Sequence, residues 1–495
     1  MSLYDTLDGS VLHKAGGYAL SDIRILSYQA SDGSEPDSID IETMVIDLNI
    51  YESIHNKCLS GNMVIVDTNN LVGKMPLTGN ERLEFKFFTP SLSYGYDFTR
   101  KTGHPMYIYK ISARQSISPR SQTYLLHFCS KEMIDNENKV IKDAQHSTYS
   151  GMVANIIKGE QNLNSKKDFY FEPSAGIHKY VFPRVRPFEA VNALAVDTIS
   201  QKFVNAGYYL YETSRGFNYR SIESMLAIEG NTARPVVARF RPKPSNVKDL
   251  GETNIKNEMQ IAINHKITSQ FDTLKNLRNG IYASKLVTFD NFYKTIKEFD
   301  FDYHKEYELT HHTEHGKGGV RTSDKSILPI HKREGKFLSD FAESTLYLSS
   351  DQQQIHGDIQ DTKTSEILQR RLSQKLAFES FCLELTVPGF TGIQAGDLIT
   401  FEMPSYAPHN DTEPLDHDPH MSGRYLVTDI RHQLNRTQRK HYTILTCKKD
   451  SVRRPYPEEL TDTFIGGEAN KEGIIDIYEV DKLFTDQLNN LEVFT

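Results

Sequence analysis

Apolar residues recur at every second position in many short segments of this 495-residue chain, and this alternation constrains the fold more than any other feature. Successive side chains of a β-strand point to opposite faces of its sheet, so the spacing predicts strands with one buried face. The clearest early examples are Met44, Ile46, Leu48 and Ile50, followed by Leu83, Phe85 and Phe87. The sequence therefore predicts a chain built mainly from half-buried strands.

Turn-forming residues separate these runs in the first 130 residues. Gly, Pro, Asn, Asp and Ser cluster between them, for example at 31–37 and 78–80, while 106–111 and 124–128 supply two further strand patterns. No helical pattern interrupts residues 15–130. We therefore predict a β-barrel or β-sandwich in this part of the chain.

A second all-β unit is predicted at 376–450. Two of its strands show the same alternation, through Phe381, Leu383, Leu385 and Val387 and through Tyr442, Ile444 and Thr446. Residues 398–401 and 423–427 supply two more strands, separated by a long polar loop. Loops of this length are usually functional or disordered. We expect this unit to be a second barrel that recruits strands from 207–300.

Between the two β units the apolar spacing changes to three and four residues, which predicts helices. A short amphipathic helix is predicted at 147–158. The clearest helix opens at Pro187 and carries one apolar face: Phe188, Val191, Leu194, Ile199 and Phe203. Further helices are predicted at 269–278 and 365–376, and further strands at 208–212, 281–289 and 299–303.

These patterns predict a mainly β chain with some helix, an α+β fold in several domains. The length also favours several domains rather than one. The predicted units are a first β-barrel at 1–130, a mixed domain at 131–230, a connecting region at 231–375, a second β-barrel at 376–454 and an acidic tail at 455–495.

The negative charge is concentrated at the C-terminus. The whole chain has a formal net charge of −8. Pro455–Thr495 holds ten acidic and two basic residues, 2 − 10 = −8, so the preceding residues are neutral in sum. This distribution does not fit a basic nucleic-acid binder. Apolar residues at spacings of three and four in the tail predict an amphipathic helix that docks on a partner.

Membrane and disulfide signals are absent from the sequence. No run approaches 18 apolar residues, and the N-terminus lacks a basic start with an apolar stretch, so we expect neither a spanning helix nor a secretory signal. Cys58, Cys129, Cys382 and Cys447 are far apart and lie among apolar residues. We expect them to be small core residues in a reducing compartment, not a disulfide framework or zinc ribbon.

Two histidine-rich stretches are the main candidates for a metal site. They hold His311, His312, Glu314 and His315, and His409, His417, Asp418 and His420. Neither contains HExxH, and Gly or Pro residues in both stretches leave the ligand geometry unfixed. We therefore predict solvated loop histidines without a metal, with 311–319 as an exposed loop.

Enzyme motifs are also missing. The sequence has no GxSxG nucleophile elbow and no GxxxxGK[ST] phosphate loop; residues 316–319 come nearest, without a preceding apolar strand. Glu379 and Glu384 are explained better as surface carboxylates than as a glycosidase pair. We predict no catalytic, cofactor-binding or metal-binding residues, and no enzyme activity.

Three groups of motifs resemble one known family. They are RPFEAVNALA (186–195) with GYYLYET (207–213) and GFNYRSIES (216–224); NGIYAS (279–284) with residues 289–290 and 301–303; and GIQAGD (392–397) with SGRYLVT (422–428) and residues 442–445. Residues 59–67 form an N-terminal echo. In this order they resemble the central baseplate hub protein of T-even-type contractile-tail phages, over roughly residues 15–450.

The resemblance implies a homotrimer in which each chain carries two tail-tube-like barrels, so that three chains form a ring of six. One side of the ring would meet the sixfold tail tube or a tube-initiator protein, and the other would seat the threefold cell-puncturing spike. Baseplate wedge proteins would be further partners. The resemblance thus implies a structural virion protein, assembled in the host cytoplasm, that adapts symmetry and lines part of the DNA-ejection conduit. It implies no active site, cofactor, sequence-specific nucleic acid or membrane insertion.

Other interpretations stay open at this point. The chain could be a hub-like component of a related contractile injection system, a tail-associated cell-wall hydrolase or a receptor-binding tail module. A hydrolase needs a carboxylate cleft, to which no sequence motif points. A receptor-binding module usually carries a dispensable adhesive tip.

Overall fold

The structure is a computed structural model. It describes residues 12–453, apart from 13, 28–36, 76, 93–94, 204–206, 230–231, 244–254, 315–325, 329–331, 334–335, 351, 356–357, 362, 404, 406–416 and 419. The predicted helix of the acidic tail, Pro455–Thr495, lies outside the described residues.

The first part of the chain is almost entirely strands. They are β1 (Ala19–Leu26), β2 (Ser38–Asp40), β3 (Val45–Ser53), β4 (Ser60–Asp67), β5 (Arg82–Phe88), β6 (Tyr96–Asp97), β7 (Met106–Ser118) and β8 (Ser121–Cys129), with the short helix α1 (Leu71–Lys74) after β4. The prediction of a unit without helices is therefore wrong for α1. This helix is four residues long, too short to show a helical spacing of apolar residues in the sequence.

Helices and strands mix in the next part. They are α2 (Lys131–Asn138), β9 (Ala144–Ser147), α3 (Tyr149–Lys158), β10 (Phe169–Phe171), β11 (His178–Val181), α4 (Pro187–Asp197), β12 (Tyr208–Thr213), β13 (Gly216–Ser221), α5 (Ile222–Leu226), β14 (Ala227–Glu229) and β15 (Thr232–Ala233). Helix α4 ends at Asp197, six residues before the predicted end at Phe203. The Thr198 hydroxyl donates to the Leu194 carbonyl at 2.7 Å and caps the last turn.

The remaining elements run from residue 238 to 449. They are β16 (Ala238–Pro242), α6 (Ile255–Met259), β17 (Ile261–Ala262), β18 (Asn264–Ser269), α7 (Thr273–Arg278), β19 (Ala283–Asp290), β20 (Thr295–Asp302), α8 (Tyr303–Tyr307), β21 (Lys332–Arg333), β22 (Lys336–Phe337), β23 (Leu346–Ser350), β24 (Gln352–Ile355), β25 (Asp358–Asp361), α9 (Thr364–Ser380), β26 (Phe381–Pro388), β27 (Leu398–Phe401), β28 (Gly423–Asn435) and β29 (Lys440–Lys449). Short 3-10 turns occur at Glu42–Met44, Leu338–Asp340 and Ala342–Ser344.

The predicted buried faces are confirmed in β5 and β26. Leu83, Phe85 and Phe87 are fully buried, and the alternating residues of β26 are buried as well. In β3 the prediction is wrong for Ile46, which is exposed, because a bulge between Val45 and Asp47 shifts the register. In β29 the buried set is the opposite one, 441, 443, 445 and 447.

One large sheet runs through both predicted β units. Its path is β17-β16-β27-β28-β3-β4-β8-β7-β5-β1-β2, with β29, β26 and β18 branching from β28, and β6 from β5. Among the described strands this path is open and does not close into a barrel. The fold is mainly β with some helix, as predicted.

The two β units meet where β28 pairs with β3, a junction we call the seam. Seven residue pairs, from Asp429↔Ser53 to Asn435↔Asp47, form its antiparallel register. Strand β28 is long enough to pair with β27 through its first residues and with β3 through its last. The hydrophobic core of the first unit accordingly includes Leu434 of β28.

Six smaller sheets accompany the large one among the described strands. Strands β10, β13 and β12 form one, and β20, β19 and β23 form another that packs on α9; the four others are the pairs β9-β11, β14-β15, β21-β22 and β24-β25. The strands near 207–300 that join the large sheet are β16, β17 and β18. No helix in the described residues combines the length and apolar character needed to cross a membrane.

Candidate functional site

The two adjacent histidines after α8 are buried, which corrects the prediction of a solvated loop. His311 and His312 are 5% and 6% exposed. The His311 imidazole contacts Glu223 of α5 through Nδ1, and Nδ1 of His312 lies 2.8 Å from a carboxylate oxygen of Asp450, just after β29. These acidic partners lie 88 and 138 residues away along the chain, so no local sequence pattern could predict the two contacts.

The contacts of His312 fasten the end of α8 to the end of β29. Tyr307 stacks on the His312 ring with 3.5 Å between ring centroids, and its carbonyl oxygen lies 2.7 Å from Nε2. The Thr313 amide and hydroxyl both donate to the Asp450 carboxylate, at 3.0 and 2.9 Å. Burial alone would raise the pKa of Asp450, but His312 and the Thr313 donors hold this pKa below its ordinary value. The geometry is that of a structural clamp.

The described part of the second histidine-rich stretch is arranged differently. His417 lies 3.9 Å from Glu402, whereas Asp418 accepts the backbone N–H groups of His420 and Met421, both at 2.8 Å. Within the described ranges, no group of three or more His, Cys, Asp or Glu side chains could hold a metal ion. Residues 315–319 and His409 lie outside the described residues.

A buried lysine links separate elements of the mixed segment. Lys167 Nζ lies 2.7 Å from Glu132 and 2.6 Å from Glu212, and all three side chains are 9% exposed or less. Glu212 also accepts the Leu59 backbone N–H at 2.9 Å, and the Ser165 hydroxyl donates to Glu132 at 2.6 Å. Burial alone would lower the pKa of Lys167, but the two carboxylates raise this pKa above its ordinary value. The lysine therefore stays charged.

A second buried polar chain crosses the seam. Glu52 accepts hydrogen bonds from the Tyr96 hydroxyl at 2.6 Å and from the Ala395 backbone N–H at 2.7 Å. The Tyr96 hydroxyl lies 3.1 Å from His432 Nε2, and His432 Nδ1 lies 3.0 Å from His441 Nε2. Burial raises the pKa of Glu52 to about 8 and lowers the pKa of His432 to about 3. The His432 imidazole is therefore neutral at physiological pH.

A cavity of about 610 Å³ lies beside β12 and β13, and more basic than acidic side chains line it. We call it the basic cleft. The charged residues that line it are Lys202, Arg215, Arg220, Arg234, Glu172 and Asp397. Glu172 accepts the Ser221 backbone N–H at 2.7 Å, and Asp397 pairs with Arg234 at 3.2 Å. Tyr170 and Phe171 also line the cleft and are half exposed. Four cations against two carboxylates give a cleft that suits an acidic surface. No sequence motif predicted it, because its residues come from separate elements.

The remaining sequence candidates lie apart from these clusters. Glu379 forms an ion pair with Lys275 at 3.3 Å near the end of α9, and Glu384 is exposed on β26, so both are surface carboxylates as predicted. All four cysteines are free thiols; three are buried and Cys382 is half-buried. Burial raises the pKa of Cys129 to about 12, which keeps this thiol protonated. The prediction of small core residues is confirmed for Cys58, Cys129 and Cys447, whereas Cys382 lies only partly in the interior.

Comparison with known proteins finds similarity in structure but not in sequence. No family model matches the chain, and no curated protein matches it. A tail protein from Neisseria meningitidis MC58 aligns with 88% of this chain and 98% of its own, at 11% identity and a TM-score of 0.48. The 43 kDa tail protein of prophage MuSo2 from Shewanella oneidensis aligns with 87% of this chain and 98% of its own, at 8% identity and a TM-score of 0.46.

A type VI secretion component from Escherichia coli, described as structurally similar to phage T4 tail proteins, is a further neighbour. It aligns with 84% of this chain and 76% of its own, at 8% identity and a TM-score of 0.35. The structural neighbours include phage tail and type VI secretion proteins.

Proposed function

We propose that this chain is a structural subunit of a phage tail baseplate, the central hub that joins the sixfold tail tube to the threefold cell-puncturing spike. The observation that carries the proposal is the seam. Two β units of one chain are joined edge to edge by the pairing of β3 with β28. In a ring of six β units made by three chains, half of the joints lie within a chain, and the seam is such a joint.

Further contacts make this joint rigid. The Thr391 N–H donates to the Thr89 hydroxyl at 3.0 Å, and the Thr89 N–H donates to the Thr391 hydroxyl at 3.2 Å, both fully or almost fully buried. The carboxyl group of Glu52 accepts the Ala395 N–H across the same boundary. Buried hydrogen bonds of this kind are costly to break, so the two β units are expected to move as one body.

The finer parts of the proposal follow from the sequence resemblance. The chain acts as a homotrimer with the tube or tube-initiator protein, the spike and the wedge proteins as partners, and it forms part of the DNA-ejection conduit in the virion. The two strand-rich parts on either side of the seam act as the tube-like units, with domain boundaries near residues 130, 230, 375 and 454. Its role is structural, not enzymatic.

Sedimentation velocity and negative-stain electron microscopy of the purified protein test the proposal together. We expect a species of three 56.6-kDa chains that appears as a threefold ring with an open centre. A folded monomer at micromolar concentration contradicts the ring. Lysis of purified cell wall, abolished by replacing a single Glu, contradicts the structural role and favours the hydrolase instead.

A further inference from the structure

The sheet β20-β19-β23 carries apolar side chains on a face that is open to solvent. On β19, Val287 and Phe289 point to this side. The antiparallel register places Ile296 of β20 beside Phe289, and the parallel register places Leu348 of β23 beside Val287. Leu346 lies two residues before Leu348 on the same side of β23, since side chains of a strand alternate. We call these five residues the open sheet face.

Exposure on this face is unusually high for apolar residues. Ile296 is 72% exposed, Leu348 is 69%, Leu346 is 55% and Phe289 is 41%. Together the five side chains leave on the order of 500 Å² of apolar surface in water, comparable to the largest apolar patch of a typical monomer, which is often functional. Single exposed apolar residues are ordinary, but four on three paired strands, grouped around the partly buried Val287, are not.

The other side of the same sheet is already covered. Ser284, Leu286 and Thr288 of β19 are 1% exposed or less. Helix α9 packs there, and the Gln369 side chain donates to the Ser284 carbonyl at 2.9 Å. The sheet therefore has one face filled by its own chain and one face open for a partner.

Acidic residues border the open sheet face. Glu298 and Asp300 lie on the same side of β20, and Glu343 lies in the turn before β23. Lys285 lies 3.5 Å from Glu298 and 3.6 Å from Glu343. Three carboxylates and one ammonium group give this border a charge of about −2. An apolar centre with a charged rim is the usual anatomy of a protein–protein interface.

We propose that the open sheet face of one copy of this chain binds the basic cleft of a second copy. The two surfaces are opposite in charge, and Tyr170 and Phe171 supply apolar area at the cleft. A stable interface buries about 800 Å² per partner, and the open sheet face provides most of the apolar part of this area. Because the two surfaces differ, the contact is head-to-tail, the type that forms a ring when its rotation closes, as the proposed trimer requires. The inference rests on the proposed trimer and names one of its contacts.

Charge placed in the centre of the open sheet face tests the contact. The variant Leu348→Glu puts a carboxylate among apolar side chains and beside an acidic border, whereas its exposed position keeps the folding cost small. Leu274→Glu is the matched control, since Leu274 on α7 is 79% exposed. In sedimentation velocity we expect Leu348→Glu to run as a monomer and Leu274→Glu to run as wild type. Circular dichroism and the unfolding midpoint establish that both variants are folded.

Mixing two interface variants tests which surface is the counterpart. Arg215→Glu reverses a charge in the basic cleft, and alone it should also yield monomers. An equimolar mixture of Arg215→Glu and Leu348→Glu retains one intact pair of surfaces between unlike chains, so we expect dimers and nothing larger. Monomers in the mixture overturn the assignment of the cleft as the counterpart.

The outcomes also separate this inference from the proposed function. A wild-type trimer with an unchanged Leu348→Glu trimer overturns the interface but leaves the ring. Equal dissociation of Leu348→Glu and Leu274→Glu overturns it too, because the effect is then not specific to this face. A wild-type monomer overturns both proposals.

Discussion

Removing the buried cation Lys167 is expected to destabilise the mixed segment, where it pairs with Glu132 of α2 and Glu212 of β12. The variant Lys167→Met keeps the length of the side chain but leaves the carboxylates of Glu132 and Glu212 without the ammonium group that lies within 2.7 Å of each. Both carboxylates are at most 4% exposed. Water therefore cannot replace the lost partner without opening the structure.

The magnitude follows from this burial. Breaking a buried ion pair by removing one partner costs about 3–5 kcal/mol, because an uncompensated charge stays in the interior. The urea unfolding midpoint should fall by this free energy divided by the m-value, which increases with the surface exposed on unfolding. The neighbouring Lys166→Met is the matched control: Lys166 is exposed and its Nζ only donates to Asn164 at 2.8 Å. It should change the free energy of unfolding by about 0.5 kcal/mol or less.

The pH dependence of the loss provides a second signature. Without Lys167, burial keeps the pKa of the two carboxyls above the unfolded value of about 4.3. Stability carried by a raised carboxyl pKa is present below that unfolded value and is lost as the pH rises through the folded one. The deficit of Lys167→Met should therefore shrink between pH 7.5 and pH 5.

Urea unfolding followed by far-ultraviolet circular dichroism is the suitable assay, since the chain has no tryptophan. Adding Glu212→Gln to Lys167→Met removes one of the two buried charges and should recover part of the lost stability. A Lys167→Met deficit no larger than that of Lys166→Met at pH 7.5 would refute the reasoning, because the triad would then contribute nothing beyond a surface hydrogen bond.

Three further predictions concern the seam, the sheet and the histidine clamp. Burial lowers the pKa of His432 to about 3, so its neutral form contributes stability above pH 6.5 that is lost as the pH falls toward 3. Between pH 6.5 and 4.5 the free energy of unfolding should fall about 2 kcal/mol more in wild type than in His432→Phe, and equal slopes in urea titrations would contradict this. Gly61→Ala places a Cβ 2.4 Å from the Phe128 ring, which should cost about 1–3 kcal/mol and lower the thermal midpoint; an unchanged midpoint would show that the ring moves freely. His312→Ala removes a partner of the buried Asp450 carboxylate, so amide hydrogen exchange in α8 should accelerate, whereas unchanged exchange would exclude a clamp.

Local chemistry fixed much of the secondary structure in advance. Strand β5 and helix α3 follow directly from the spacing of their apolar residues, since burial on one face needs only a period of two or about 3.6 residues. The same reasoning failed for the burial of Ile46 and for the end of α4. A bulge and a hydroxyl cap, each set by a single contact, changed the outcome there.

The sites followed the sequence less closely. His311 and His312 were predicted to be solvated because Gly-rich neighbours follow them, yet Glu223 and Asp450 hold them in the interior. The basic cleft and the open sheet face were also not predicted from the sequence, since each is formed by side chains on separate elements. A pattern along the chain carries no information about which distant residue will neutralise a charge.

By itself, the sequence determined that this protein is mainly β, that its two strand-rich parts flank a mixed segment, and that its excess charge lies in the last 41 residues, 495 − 454. Only the tertiary structure decided that the two parts share one sheet through the seam, where Ser53 meets Asp429, 376 residues away. The period of a strand is a property of neighbouring residues. The choice of its pairing partner depends on the closure of long loops and on packing around a common core, which no local pattern encodes.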